Sequence, residues 1–234
     1  MKKKILLCLA AFQLFGCNEL QQVVNQLPQA GALGNEEIAS GLKEALNFGI
    51  EKQVSKLSAQ DGFFKNELVK ILLPEELSKV DKTLRDIGLG KLANEGLKVL
   101  NNAAEDAVRE ATPIFVDAVK NMSFTDAKNI LLGADNAATT YLEQQTNSKL
   151  YAKFNPIIEQ SFKKVGADQI WSNLITKYNT LPLTNDVNPD LTEYVTQEAL
   201  EGVYTMISIE EKEIRNKVSS RSTDLLKRVF TLQD

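Results

Sequence analysis

The chain has 234 residues, 27 basic and 31 acidic side chains, two cysteines and no histidine. Three of the lysines lie within the first 16 residues, so the other 218 residues carry 24 basic and 31 acidic side chains, a balance of −7. This balance argues against a nucleic-acid partner, which needs a clustered positive surface. The lack of histidine excludes Ser-His-Asp and Cys-His catalytic systems and the usual zinc ligand sets.

The N-terminus has the organisation of an export signal. Lys2–Lys4 precede an apolar stretch, Ile5–Gly16, that is too short to span a membrane. The small residue directly before Cys17 makes this segment resemble a bacterial lipoprotein signal, in which that cysteine becomes the acylated first residue. We therefore expect residues 1–16 to be a signal peptide and Cys17 to be the lipid attachment site. The expected location is the bacterial cell envelope, at the outer membrane and facing the periplasm.

A tether is expected between the lipid and the folded part. Residues 18–34 contain four glutamines, one proline and two glycines without a sustained apolar face, which is typical of a flexible spacer. Residues 35–234 form the predicted domain. Cys8 lies in the leader and Cys17 is expected to carry lipid, so this domain has no thiol for a disulfide and depends on packing for its stability.

Apolar residues recur at helical spacing from Asn35 onward, and no segment alternates with period two. We therefore predict an all-α fold, a single globular domain of eight to ten helices without significant sheet. Helices are predicted from Asn35 to Asp61, from Pro74 to Gly88, over Leu92–Met122, from a cap at Ser123, and over Ala137–Thr146, Ser148–Val165, Asp168–Tyr178, Leu191–Ile207, Glu210–Lys217 and Ser222–Phe230.

Three local details refine this prediction. Phe63 and Phe64 follow the first helix and are expected to fold back onto the core. Pro113 should kink or split the long element, because it lacks one backbone donor and crowds the preceding turn. Ser123 with Asp126 three residues later has the arrangement of a capping box.

Two sequence patterns suggest ion binding, and each has a simpler interpretation. Asp186, Asn188 and Asp190 have the spacing that opens a calcium loop, but Leu191 and Gln197 replace the glycine and the glutamate that such a loop requires. We interpret these residues as a turn and a helix cap.

Gly88–Lys91 precedes a helix and could hold an anion, but it lacks the spacing of a phosphate loop and is interpreted as a turn. Glu105, Asp106, Arg109 and Glu110 are interpreted as a solvated ion cluster, with Glu105 and Arg109 as an i,i+4 pair. No metal site and no cofactor are therefore expected.

The middle of the chain has an aromatic bias that admits two interpretations. At helical spacing these residues form a core, or they line a pocket for an apolar or amphipathic ligand. Lys149 and Lys153 beside Tyr151 would give such a pocket a polar end, so the candidate ligand-binding residues are Tyr151, Lys153 and Phe154. The aromatic residues concerned are Tyr141, Tyr151, Phe154, Phe162, Trp171 and Tyr178.

The domain resembles a bacterial family catalogued as a domain of unknown function, number 4197. The resemblance implies an exported, helical and often lipid-anchored protein, and it supplies no catalytic residue and no cofactor. The matching strings run between Asn35 and Phe230: Ala45–Ile50, Asp61–Asn66, Leu73–Leu77, Leu84–Leu92, Phe115–Ala118, Met122–Ala127, Leu150–Phe154, Tyr194–Gln197 and Thr223–Lys227.

Three functions remain open from the sequence. The favoured one is a non-enzymatic binding or assembly module that presents helical faces to another envelope protein. The second is a carrier or sensor of an apolar or amphipathic small ligand. The third is an enzyme that uses carboxylates and lysine, and the loss of histidine and cysteine chemistry argues against it.

Overall fold

A computed structural model describes residues 34–86, 90–165, 172, 175 and 190–231. Within these ranges the chain forms eight α-helices, one 3-10 helix and no strand, which confirms the predicted all-α class. The signal peptide, Cys17 and the tether lie outside the described residues. The helices are α1 (Asn35–Ser58), α2 (Glu75–Asp86), α3 (Gly90–Val108), α4 (Ala111–Lys120), α5 (Phe124–Leu131), α6 (Ala137–Val165), α7 (Thr192–Asn216), the 3-10 helix Val218–Ser220 and α8 (Asp224–Phe230).

Four long helices, α1, α3, α6 and α7, build the core. Helix α7 packs against the other three, and α3 also contacts both α1 and α6. The short helices complete this group, since α4, α5 and α8 pack on α1 and α2 packs on α3. Phe63, Phe115 and Phe154 are fully buried at the centre. The rings of Phe115 and Tyr204 meet edge to face, with their centroids 5.9 Å apart.

The long element predicted over Leu92–Met122 is split, as the proline suggested. Helix α3 ends at Val108 and α4 begins at Ala111, so Pro113 occupies the third position of the new helix. A proline there has no N–H to bond the carbonyl of Arg109, and its ring crowds that carbonyl. The break therefore falls one turn before the proline rather than at it.

The capping box at the start of α5 is confirmed. The backbone N–H of Asp126 donates to the Ser123 hydroxyl over 3.1 Å, and the backbone N–H of Ser123 donates to the Asp126 carboxylate over 3.0 Å. These reciprocal bonds satisfy two donors that the first turn of a helix leaves without partners.

Two predicted helix breaks are absent. The helices predicted to be separate at Thr146–Ser148 and at Ile207–Glu210 are continuous in α6 and α7. Polar residues interrupt the apolar pattern at these points, but Thr146, Glu210 and Glu211 are buried and hydrogen-bonded. Buried polar side chains with partners are compatible with an uninterrupted helix, and the apolar pattern alone cannot reveal them.

The segment after α1 turns the chain sharply. Asp61 has a φ of 60°, and a Cβ at Gly62 would lie 2.4 Å from the carbonyl oxygen of Leu57, so a side chain is excluded there. Phe63 is buried as predicted, whereas Phe64 is half-exposed and lies under the Lys70 ammonium. Residues 70–74 follow without regular secondary structure. Asn101 of α3 holds this segment, because its side chain accepts the backbone N–H of Ile71 and donates to the carbonyl oxygen of Ile71, each over 2.9 Å.

Candidate binding cleft

Glu105 does not belong to the solvated ion cluster that was predicted for it with Asp106, Arg109 and Glu110. Its side chain is buried, and its carboxylate accepts the backbone N–H groups of Asp61 and Phe63, each over 3.2 Å. Arg109, the predicted partner, instead pairs with Asp106 over 3.2 Å. Burial raises the pKa of the Glu105 carboxyl above its ordinary value, and the backbone N–H groups oppose that shift. Glu105 therefore fixes the turn after α1.

A buried ion pair on α7 joins the ends of two other helices. The Glu211 carboxylate accepts the backbone N–H groups of Ala138 and Thr139 at the start of α6, over 2.9 and 2.8 Å. Arg215 pairs with Glu211 over 2.8 Å and donates to the carbonyl oxygen of Ile130 at the end of α5, also over 2.8 Å. The carboxylate meets the positive end of one helix and the guanidinium meets the negative end of another. This contact sets the position of α6 relative to α7.

A third carboxylate joins α7 to α1. Glu210 accepts hydrogen bonds from Gln53 over 2.6 Å and from Lys52 over 2.7 Å. The cavity beside it, between α1, α7 and α8, has a volume of about 20 Å³, which is space for a single water molecule. This cavity is too small for an organic ligand.

An open cleft lies between α6 and α7. Its volume is about 590 Å³, within the range of small-ligand sites. The two helices run antiparallel here, because Ala138 bonds Glu211 while Thr146 bonds Tyr204. Ten residues form the lining: Thr139, Glu143 and Asn147 from α6, and Gln197, Leu200, Glu201, Tyr204, Thr205, Ser208 and Ile209 from α7.

Carboxylates without protein partners are the distinctive feature of this cleft. Glu143 and Glu201 are exposed and make no hydrogen bond or ion pair with any residue that the structure describes. Their charges act on nearby groups, since Glu143 contributes to the raised pKa of Tyr204 and Glu201 to that of Glu198, after burial in each case. No lysine or arginine is among the described lining residues, so the described lining carries two negative charges and no positive one.

Tyr204 forms the floor of the cleft and is fixed from below. Its hydroxyl donates to Thr146 Oγ1 over 2.8 Å, because Thr146 in turn donates to the carbonyl oxygen of Leu142 over 2.6 Å. Burial raises the pKa of Tyr204 to about 12. The phenol therefore stays neutral near pH 7 and supplies an aromatic surface rather than a charge.

The residues predicted to bind a ligand do not meet at one place. Tyr151 donates its hydroxyl hydrogen to Glu193 of α7, whereas Lys153 pairs with Glu110, just before α4, over 3.3 Å. Phe154 is fully buried in the core. The polar ends of Tyr151 and Lys153 thus contact different neighbours of α6. As ligand-binding residues, all three stay a prediction.

Other aromatic residues of the predicted pocket are partly described. Phe162 is buried and Tyr141 is half-exposed, while Trp171 and Tyr178 lie outside the described residues. Sequence reasoning did not single out the cleft residues. The one available signal was the recurrence of Thr139, Glu143 and Asn147 every four residues on one face of α6.

Neither a metal centre nor a membrane span is found in the described part of the chain. The described residues include no group of three or more acidic, cysteine or histidine side chains that could hold a metal ion. The Asp190 carboxylate accepts the backbone N–H of Thr192 over 2.9 Å and so forms a turn at the start of α7, whose N-cap residue is Leu191. Asp186, Asn188, Gly88 and Leu89 lie outside the described residues. Among the helices described, none combines the length and the apolar composition that crossing a bilayer requires.

Over the residues described, the fold is all-helical and carries an open groove with two carboxylates in its lining, between two long helices. The family follows from a direct comparison. The model of the family described as "Protein of unknown function (DUF4197)" matches residues 32–231, so the chain belongs to that family and the resemblance noted from its sequence is confirmed. Neither the curated proteins nor the solved structures contain a match to this chain.

Proposed function

We propose that this protein is an envelope lipoprotein, held to a membrane through acylated Cys17, whose helical domain is a non-enzymatic binding module. The signal-like residues 1–16 and the cysteine directly after them support the anchor. A single acyl chain binds a bilayer only marginally, so stable attachment needs more than one chain on the cysteine. The tether of residues 18–34 then gives the domain room to reach a partner or ligand.

The open cleft between α6 and α7 is the observation that carries the binding role. Its walls are fixed from behind by the buried Glu211–Arg215 pair and by the Tyr204–Thr146 hydrogen bond. The exposed carboxylates of Glu143 and Glu201 in its lining, in contrast, have no protein partners among the described residues. A rigid groove with free polar groups is pre-organised for association, because little ordering is needed on binding.

The arrangement of ionisable groups favours binding over catalysis. The buried carboxylates of Glu105, Glu210 and Glu211 each accept hydrogen bonds that hold the fold, and residues 35–234 contain no histidine and no cysteine. An acid–base mechanism needs a group with an adjusted pKa facing a substrate site. The cleft offers two exposed carboxylates and a neutral phenol, which suit recognition.

The carrier of an apolar ligand is the alternative, and it has less support. The small cavity beside Glu210 has space for about one water, and the cleft is open and lined by several polar side chains. An apolar ligand would leave the charged groups of such a cleft without compensation. The proposed module therefore binds a polar or charged occupant.

The anchor is tested by fatty-acid labelling in the producing cell. The wild-type protein should incorporate the labelled fatty acid and fractionate with membranes, whereas Cys17→Ser should lose the label and be released. Cys8→Ser, which changes the leader cysteine instead, should keep both properties. A Cys17→Ser protein that stays labelled or membrane-bound would refute the anchor.

The binding role is tested by native mass spectrometry of the intact protein, purified from its own host in a neutral detergent without denaturation. A discrete extra mass that is lost when Thr205→Lys fills the cleft is the expected result. An extra mass retained in that variant would place the ligand elsewhere. An intact protein without any bound mass, and without crosslinks from a photoreactive residue at position 208, would contradict binding at the cleft.

A further inference from the structure

We propose that the cleft between α6 and α7 binds an elongated organic cation that carries two or more ammonium groups, a ligand of the polyamine class. This inference rests on the proposed role of the cleft as the binding site. It names the chemistry of the occupant, which the binding role alone leaves open.

The charges of the cleft require a positive occupant. Glu143 and Glu201 bring two negative charges into the lining, and no described lining residue brings a positive one. The nearest lysines along α6 are engaged on another side of the helix, since Lys149 pairs with Asp117 over 3.6 Å and Lys153 with Glu110 over 3.3 Å. An anion would be repelled here, and a neutral ligand would form no ion pair with either carboxylate.

The length of the two lining helix segments favours an elongated occupant. Thr139 and Asn147 are eight residues apart on α6, which at 1.5 Å per residue gives one wall a length of about 12 Å. Gln197 and Ile209 are twelve residues apart on α7, which makes the other wall about 18 Å long. A linear chain of methylene groups between ammonium groups follows such a groove, whereas a compact cation fills one part of it.

The remaining lining residues suit the other parts of such a molecule. Leu200, Tyr204 and Ile209 provide an apolar and aromatic floor for methylene groups. The hydroxyls of Thr205 and Ser208 and the amide oxygen of Asn147 can each accept a hydrogen bond from an ammonium group. Each ammonium would therefore meet a carboxylate or neutral acceptors while the chain between them loses contact with water.

A hard metal ion does not fit the same groups. Calcium takes six to eight oxygen ligands and magnesium an octahedron of them, and both favour sites with several carboxylates or carbonyls close together. The two carboxylates here come from different helices, and no described group of three acidic side chains exists around them. The donor set thus favours charges spread along a chain over one concentrated charge.

The inference is tested by isothermal titration of spermidine into the intact protein in neutral detergent at low salt. The wild-type protein should bind spermidine in a one-to-one complex, and Glu143→Gln with Glu201→Gln should weaken the affinity at least tenfold. Glu51→Gln is the matched control, because Glu51 is an exposed glutamate of α1 that lies outside the cleft. This control should bind spermidine like the wild type.

One further variant, one shorter ligand and one competitor exclude trivial results. Thr205→Lys places an ammonium group in the cleft and should abolish spermidine binding, while its helical circular dichroism and melting temperature report whether it is folded. Putrescine, with a shorter chain, should bind more weakly than spermidine, and Mg²⁺ at equal concentration should not displace either.

The outcomes separate the ligand class from the binding role. Absence of spermidine binding, or equal loss in Glu51→Gln, overturns the inference. Displacement by equimolar Mg²⁺ also overturns it, since it would indicate nonspecific charge neutralisation. If spermidine fails but native mass spectrometry still finds another mass that Thr205→Lys removes, the proposed binding role stands and the polyamine class is wrong.

Discussion

The two sides of α7 use acidic side chains in opposite ways. On the inner side, Glu105 of α3 and Glu210 and Glu211 of α7 are buried, and backbone or side-chain donors of other segments bond each carboxylate. On the outer side, Glu143 and Glu201 line an open cleft without partners among the described residues. The comparison teaches that the same residue type holds the fold where its hydrogen bonds are complete and is available to a ligand where they are not.

The inner side should be sensitive to loss of one partner. Arg215→Ala leaves Glu211 as a buried carboxylate without its guanidinium, and breaking such a pair typically costs about 3–5 kcal/mol. We expect a loss of this size in the free energy of unfolding, measured by urea denaturation of the intact protein. Lys217→Ala is the control, because the Lys217–Glu213 pair lies at the C-terminal end of the same helix but is exposed, and it should cost less than about 1 kcal/mol. Equal effects of the two variants would contradict the assigned role of the buried pair.

Close packing at Gly202 should make the inner side intolerant of a single methyl group. A Cβ at Gly202 would lie 2.7 Å from Cε1 of the buried Phe63 ring, so Gly202→Ala must displace that ring. We expect a cost of about 1–3 kcal/mol, typical of overpacking, in the same denaturation experiment. Gly90→Ala is the matched substitution, since a Cβ there meets its nearest atom at an ordinary 3.6 Å. A stable Gly202→Ala protein would show that Phe63 has room to move.

Glu105 gives the inner side a pH dependence with a defined sign. The pKa of the Glu105 carboxyl is raised above its ordinary value of 4.5 in the folded protein, so folding favours the protonated form. This contribution to stability is complete below pH 4.5 and is lost as the pH rises through the raised pKa of the folded protein. The stability advantage of the wild type over Glu105→Gln should therefore be largest at acid pH and decrease toward neutral pH. Urea denaturation of both proteins between pH 4 and 7 measures this difference. A wild-type advantage that grows with pH would mean that hydrogen bonds outweigh burial at this carboxyl.

Removal of carboxylates from the outer side should not change the stability of the protein. Glu143→Gln with Glu201→Gln removes two exposed charges that have no described partner, so stability should change by less than about 0.5 kcal/mol. Thermal unfolding of the ligand-free protein, compared with that of Glu51→Gln, measures the effect. A large loss in the double variant would assign the two carboxylates to the fold and would remove the contrast between the two sides.

Local sequence rules predicted the parts of the fold that depend on neighbouring residues. The Ser123–Asp126 capping box and the division of the long element ahead of Pro113 each involve groups within one helical turn. The burial of Phe63 followed from its position after a helix end. In these cases the interacting residues are close together in the sequence, so the sequence pattern reveals the contact.

Contacts between distant segments account for what could not be predicted. Glu105 was assigned to Arg109 because they stand four residues apart, yet its donors are backbone groups 42 and 44 residues away. A side-chain pattern does not encode which backbone groups another segment leaves unsatisfied. The cleft has the same origin, because Glu143 and Glu201 share it only once the relative positions of α6 and α7 are fixed.

The Glu211–Arg215 pair also has a consequence for the order in which the chain folds. The backbone groups that it bonds at Ile130, Leu131, Ala138 and Thr139 precede it by 72 to 85 residues. When the chain is synthesised from its N-terminus, the corner between α5 and α6 is complete before Glu211 and Arg215 exist to bond it. Closing a contact between such distant residues is also slow compared with forming a helix. The second wall of the groove lies entirely on α7, so we expect a chain interrupted before residue 192 to have helices but no finished groove.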